Sequence, residues 1–246
     1  MIFTWLRRRR RKRLLATPFP VAWLPWLEQL AFYRELSEDQ RARLRDITLV
    51  MVSEKSWVGC RGQVITDEIK VTIAAQAALL LVELEHDHYR KVSEILVYPS
   101  TFVVPDRQSN GGGGSPVLGL AQLGGPVVLA WDAARIGGDN WKDGRNVVLH
   151  EFAHKLDMLD GWADGKPPLR QREQHAAWKR IMTEEYESLV ADTEDRRPTL
   201  LNKYGATNAP EFFAVATECF FEKPRQMQQR HAELYDLLAA YYLQRP

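Results

Sequence analysis

Two histidines four residues apart, with a glutamate directly after the first, stand in the middle of a segment patterned as a helix: His150-Glu151-Phe152-Ala153-His154, within Asp143 to Gly161. Val147, Val148, Phe152, Leu156 and Leu159 recur at helical spacing, Asp143 is placed to cap the start, and Gly161 to end it. Residues four apart on a helix share a face, with Cβ atoms about 5–6 Å apart, so both imidazoles can reach one zinc ion. Glu151 is turned partly aside, which suits it to take a proton from a metal-activated water instead of ligating. Whatever the fold, it must bury the apolar side of this helix and leave the histidine side open.

Zinc catalysis needs a third protein ligand and a fourth position free for water or substrate. A glycine at 157 and a histidine at 160 would extend the motif along the helix, but Asp157 and Asp160 stand there. Downstream, Asn208 to Glu218 reads as a new helix with Pro210 in its first turn. Glu211 and Glu218 lie two turns apart on a shared face of this otherwise apolar helix, and a buried carboxylate needs a partner or a metal. Glu211 is the expected ligand, with Glu218 supporting it; the reverse assignment stays open. Asp157 can orient a ligand imidazole, or pair with a nearby Lys or Arg. His86 and His88 flank Asp87 in a charged connection where a second metal could sit, while His175 and His231 have no partner at ligand spacing.

A chain of 246 residues with 45% hydrophobic and 26% charged content has enough apolar sequence for one sizeable core, and excludes a collagen, a coiled-coil array and a wholly disordered protein. Cys60 and Cys219 form no CxxC pair, which argues against a disulfide framework and a thiolate zinc site, and Cys219 among phenylalanines reads as an inert core thiol. Arg7 to Arg11, Lys12 and Arg13 put seven of the 33 basic residues in one run, so the rest of the chain, with 32 acidic residues, is net acidic. That run reads as a solvated tail, and direct nucleic-acid binding is not expected because no aromatic-interleaved basic stretch continues it. Pro18, Pro20 and Pro25 interrupt the apolar stretch that follows, and nothing approaches the roughly 20 apolar residues of a membrane span. A cytoplasmic protein with no membrane partner is expected, organised as a basic flexible tail over 1–20, an N-terminal helical part over 21–65 and a catalytic domain over 66–246.

Trp23 to Tyr33 and Ser37 to Asp46 read as short helices, the second opening on a Ser37-x-x-Gln40 capping box. After a turn near Gly59 and Gly62, Thr66 through Leu84 is rich in alanine and leucine and reads as a long buried helix. Ile95 to Val104 reads as a strand pair, or a strand and its extension, bent at Pro99. Ser109 to Ser115 reads as a glycine-rich loop, Pro126 to Trp131 as a strand, and Gly137-Gly138 as a turn. The strand at Val127 to Trp131 is the expected exposed edge for an extended peptide substrate. Gln226 to Leu243 reads as a long helix with Leu234, Leu237, Leu238 and Tyr241 on a core-facing side.

The segment His150 to Asp157, Tyr204, and Glu211-Phe212-Phe213 with Glu218 together resemble the Mlc titration factor peptidases, whose catalytic part is similar to the protease domain of anthrax lethal factor. The likeness extends over Thr66 to Ala77 and Leu96-Val97-Tyr98-Pro99. It implies an α+β, zincin-like fold in which a small mixed sheet packs on an active-site helix beside N-terminal helices. It also implies a gluzincin-type Zn2+ site of His150, His154 and Glu211, with catalytic Glu151 and an active-site tyrosine at Tyr204, seven residues before the third ligand. An aminopeptidase-like activity on peptides is implied, together with binding of a transcriptional repressor of sugar phosphotransferase genes. The family pattern is departed from at Lys155, a charge just after the second histidine, and in the loop at 109–115. The alternative reading is a regulator-sequestering binding protein with a vestigial zinc site, against which the retained Glu151 argues, since a structural site has no use for a base.

Overall fold

The computed structural model describes residues 2–84, 86–105 and 114–246. Helix α1 (Ile2–Leu15) is followed by a 3₁₀ turn at Val21–Trp23, α2 (Leu24–Gln29), a second such turn at Ala31–Arg34, and α3 (Glu38–Glu54). Strand β1 (Ser56–Gly59) leads to α4 (Asp67–Leu79), then β2 (Glu94–Tyr98), β3 (Phe102–Pro105), β4 (Gly114–Val117), β5 (Gly119–Ala121) and β6 (Val127–Ala130). The remainder is helical: α5 (Trp131–Asp139), α6 (Val147–Asp157), α7 (Gln174–Glu194), α8 (Ala209–Glu222), α9 (Pro224–Arg230) and α10 (Ala232–Tyr242). The architecture is α+β, with a four-stranded mixed sheet ordered β1-β2-β6-β5 and a separate antiparallel pair of β3 and β4.

Thr66 caps α4 by accepting from the Ile69 N–H, Asp67 and Glu68 in the first turn favour its positive end, and ten of its residues are buried. A helix this apolar on all sides belongs inside a core. It packs against α3, α5 and α6. The capping box of Ser37 and Gln40 is present, and α3 runs on to Glu54. Parallel pairing of β1 with β2 and of β2 with β6 leaves β6 buried along its whole length, and β5 folds back antiparallel against it.

Several expectations are corrected. Residues 2–15 form α1 and not a flexible tail, because Arg11 is buried in a two-bonded pair with Glu54 at 2.7 Å and reaches Asp87 at 2.7 Å. Ile95 to Val104 is divided between two sheets, β2 in one and β3 in the other. The Val127 strand is internal, since β5 covers the side that would have been an edge. Gly137 and Gly138 lie inside α5: a Cβ on Gly137 would stand 3.0 Å from the Asn146 side chain, and one on Gly138 2.7 Å from Leu30. The pair lets α5 pack closely instead of turning the chain. The Gln226 to Leu243 helix is broken at His231, whose φ of −137° and ψ of 54° separate α9 from α10. Leu234, Leu238 and Tyr241 are core residues as expected. Of the loop at 109–115, residues 109–113 lie outside the described residues, and Gly114-Ser115 opens β4.

Candidate metal centre

Helix α6 begins on Asn146 and not on Asp143: the Asn146 Oδ1 accepts from the N–H groups of Val148 and Leu149, each at 3.0 Å. Asp143 instead accepts from the Arg145 N–H and the Asn140 amide, shaping the turn before the helix. The Asn146 amide nitrogen donates to Gln76 Oε1 on α4 at 2.9 Å and to the Gly137 carbonyl on α5 at 3.1 Å. Its backbone N–H donates to Glu218 on α8 at 2.6 Å. One buried residue thus ties four helices together at the start of the motif, and Gln76 is itself bonded to the Ala134 carbonyl. Neither Gln76 nor Asn146 stands out in the sequence; a lone buried amide acquires its meaning only from partners far along the chain.

Helices α6 and α8 pack side by side, and the sequence-selected residues meet in their seam. His150, His154 and Glu211 bring one ligand atom each within 4.8 Å of one another. The His150 Nε2 lies 2.8 Å from Glu211 Oε2 and 3.2 Å from the His154 Nε2, and the latter lies 3.4 Å from Glu211 Oε2. Ligands at about 2.0–2.1 Å around a tetrahedral zinc would stand roughly 3.3 Å apart, so the two nitrogens and one oxygen have both the identity and the spacing to hold such an ion. Asn208 caps α8 through the Glu211 N–H at 2.9 Å and so fixes the carboxylate's turn.

Behind His150, Nδ1 donates to Glu218 Oε2 at 3.2 Å, leaving Nε2 to face the site. Burial works against charging His150, but its hydrogen bonds to Glu211 and Glu218 win and hold its pKa well above the ordinary value. Burial likewise opposes ionisation of Glu211, yet the hydrogen bonds from His150 and His154 keep its carboxyl at about 2. Burial pushes Glu151 up to about 7, helped by the carboxylates of Glu211 and Glu218 and opposed by His150 and the Ala121 N–H that it accepts from. Strand β5 is pressed against this base: a Cβ on Gly119 would stand 2.4 Å from Glu151 Oε1.

Tyr204 presents its ring 5.9 Å from that of His150, is 54% exposed, and is hydrogen-bonded to Glu211. Partial burial and the Glu211 and Glu151 carboxylates raise its pKa. Asp157 lies close enough to His154 to interact with its charge. It accepts from the Gly165 N–H at 2.9 Å, bracing the loop after α6, while its Oδ1 and the His154 Nδ1 are both buried without a partner among the described residues. Lys155, the departure from the family pattern, is buried; its Nζ donates to the carbonyls of Gln122 at 2.6 Å and Gly125 at 2.9 Å, holding the β5–β6 turn onto α6. His231 pairs with Glu185, His175 is exposed, and the side chains of His86 and His88 lie outside the described residues. Burial raises the Cys219 thiol to about 12, as suits an inert core thiol.

One further acid lines α8. Glu222 accepts from the N–H groups of Gly144 and Arg145, yet burial, Glu218 and Asp143 push it up to about 8. A carboxyl that holds its proton longer when folded costs stability as pH rises from its unfolded value near 4.5 through about 8. Glu222→Gln keeps the acceptor and removes the charge. The variant is expected to be about 1–3 kcal/mol more stable than wild type at pH 9 and nearly equal to it at pH 5, measured by urea melts. Equal stability at both pH values would remove this account of Glu222.

A profile of the family described as "Glucose-regulated metallo-peptidase M90" matches residues 5–243. An uncharacterized protein of Synechocystis sp. is 39% identical over 244 residues, covering 96% of this chain and 89% of its own. Proteins named Mlc titration factor A from Serratia proteamaculans and Yersinia enterocolitica are 33% and 30% identical, each covering 90% of this chain and 87% and 88% of their own lengths.

Proposed function

Since the chain belongs to the glucose-regulated metallo-peptidase M90 family, we propose that it is a zinc-dependent peptidase in which His150, His154 and Glu211 hold the ion and Glu151 is the catalytic base. The convergence of two imidazoles and a carboxylate from two helices, with an unligating glutamate beside them, carries this reading. Bound there, zinc supplies Lewis acidity toward a carbonyl and a water of lowered pKa. Glu151 takes the water's proton and returns it to the departing amine. Tyr204 donates to the oxyanion as the carbonyl becomes tetrahedral, and Glu218 keeps His150 in the tautomer whose Nε2 is free. The peptide is proposed to lie along β5, the sheet edge nearest Glu151, in place of the buried Val127 strand.

Aminopeptidase specificity, a cytoplasmic location and capture of a repressor of sugar phosphotransferase genes are carried over from the family likeness, and the relatives named Mlc titration factor A support the last.

The test is metal content by mass spectrometry together with hydrolysis of chromogenic amino-acid and peptide amides, free and N-acetylated. Wild type is expected to hold one zinc and cleave, and Glu211→Ala to lose the metal. A wild type that binds no zinc, or a Glu211→Ala variant that retains it at full occupancy, would remove the assignment. Tyr204→Phe is expected to keep its zinc and lower kcat about 10²–10³-fold, because one oxyanion donor is lost; unchanged kinetics would leave Tyr204 a packing residue.

A further inference from the structure

Helix α1 divides its basic run between two faces. Arg7 and Arg11 point inward, where Arg7 pairs with Asp87 and Arg11 with Asp87 and Glu54. The other five cations, Arg8, Arg9, Arg10, Lys12 and Arg13, are exposed, and no carboxylate pairs with any of them among the described residues. At 100° per residue they fill one outward arc together with Trp5 and Leu6. These two large apolar side chains are 58% and 49% exposed, and Arg9 lies over the Trp5 ring with its guanidinium carbon 5.4 Å from the centroid. The buried pairs at Arg11 clamp the helix lengthwise on the body, so the outward arc is a fixed surface of positive charge and two apolar groups on an otherwise net acidic protein.

We propose that this face of α1 docks the protein on an anionic lipid bilayer, lying in the plane of the headgroups. Basic side chains draw a helix to acidic lipid, and an exposed tryptophan and leucine on the same face give it an apolar foothold at the headgroup level. Nucleic acid would use the cations but has no use for Leu6. Docking of this kind departs from the expectation of a solvated tail with no membrane partner. No helix among the described residues is long and apolar enough to cross a membrane, so the contact is peripheral.

The experiment is sedimentation of the full-length protein with phosphatidylcholine vesicles, with and without about 30% phosphatidylserine, at about 0.1 M salt. Wild type should partition at least about tenfold more strongly onto the anionic vesicles and be released at about 1 M salt, where charge is screened within a few ångströms. The paired substitution Trp5→Ala with Leu6→Ala should weaken vesicle binding about tenfold while leaving binding to a duplex DNA oligonucleotide unchanged. Neutralising the five outward cations to glutamine should abolish both. Two results overturn the proposal: wild type that shows no preference for anionic vesicles, and vesicle binding that is indifferent to Trp5 and Leu6, which would make the face a general polyanion surface. The salt release uses wild type alone, so it stands whatever the variants do to folding.

Discussion

Replacing Glu151 with glutamine is expected to lower kcat about 10²–10⁴-fold while zinc content and KM stay close to those of wild type. The substitution conserves shape, and the new amide oxygen can still accept from the Ala121 N–H. The imidazoles and Glu211 are untouched, so the metal should remain. What disappears is the only carboxylate in the cluster that neither meets both histidines, as Glu211 does, nor holds an imidazole from behind, as Glu218 does. Single-turnover hydrolysis of the best amide from the panel, alongside metal analysis, decides the matter. A variant within about threefold of wild type would mean that Glu151 is not the base.

Asn146→Ala is expected to cost about 2–5 kcal/mol of stability, a large effect for a residue away from the cluster. Loss of an N-cap accounts for about 1–2 kcal/mol, and the buried Gln76 Oε1 and Gly137 carbonyl left without their donor add about 1–3 kcal/mol more. In a chain of this length, that lowers Tm by roughly 10 °C. Asn146→Asp should recover part of the cap but none of the donation to α4 and α5, and it brings another carboxylate toward Glu218. A melting curve for the alanine variant that moves by less than about 2 °C would show that the helices do not depend on this residue.

The readable parts of this molecule are those whose causes are local. The buried helix α4 and the helix carrying the two histidines follow from apolar periodicity and short-range caps, and Glu211 with Glu218 follows from the cost of burying carboxylates on an apolar face. Where the reading failed, the cause lay across the fold. Asp143 is as good a cap by composition as Asn146, but Gly144, at φ +71°, turns the chain between them and leaves Asp143 outside the helix. The Gly137-Gly138 pair has the composition of a turn, and only the crowding by Asn146, Gln76 and Leu30 shows why a helix needs glycine there. Strand order is non-local, so nothing in Val127 to Ala130 announces that β5 will cover it. Similarly, the partners of Arg7 and Arg11 are Glu54 and Asp87, separated from them by 43 to 80 positions.

Lys155 sits one residue beyond His154 and hangs the β5–β6 turn from the same helix that carries both histidines. For the peptide proposed to lie along β5, the ruler that sets its distance from the two imidazoles is therefore one helix, α6, not a hinge between two parts. On that proposal, a change of substrate preference would come from the residues that β5 presents and not from how the helix is held.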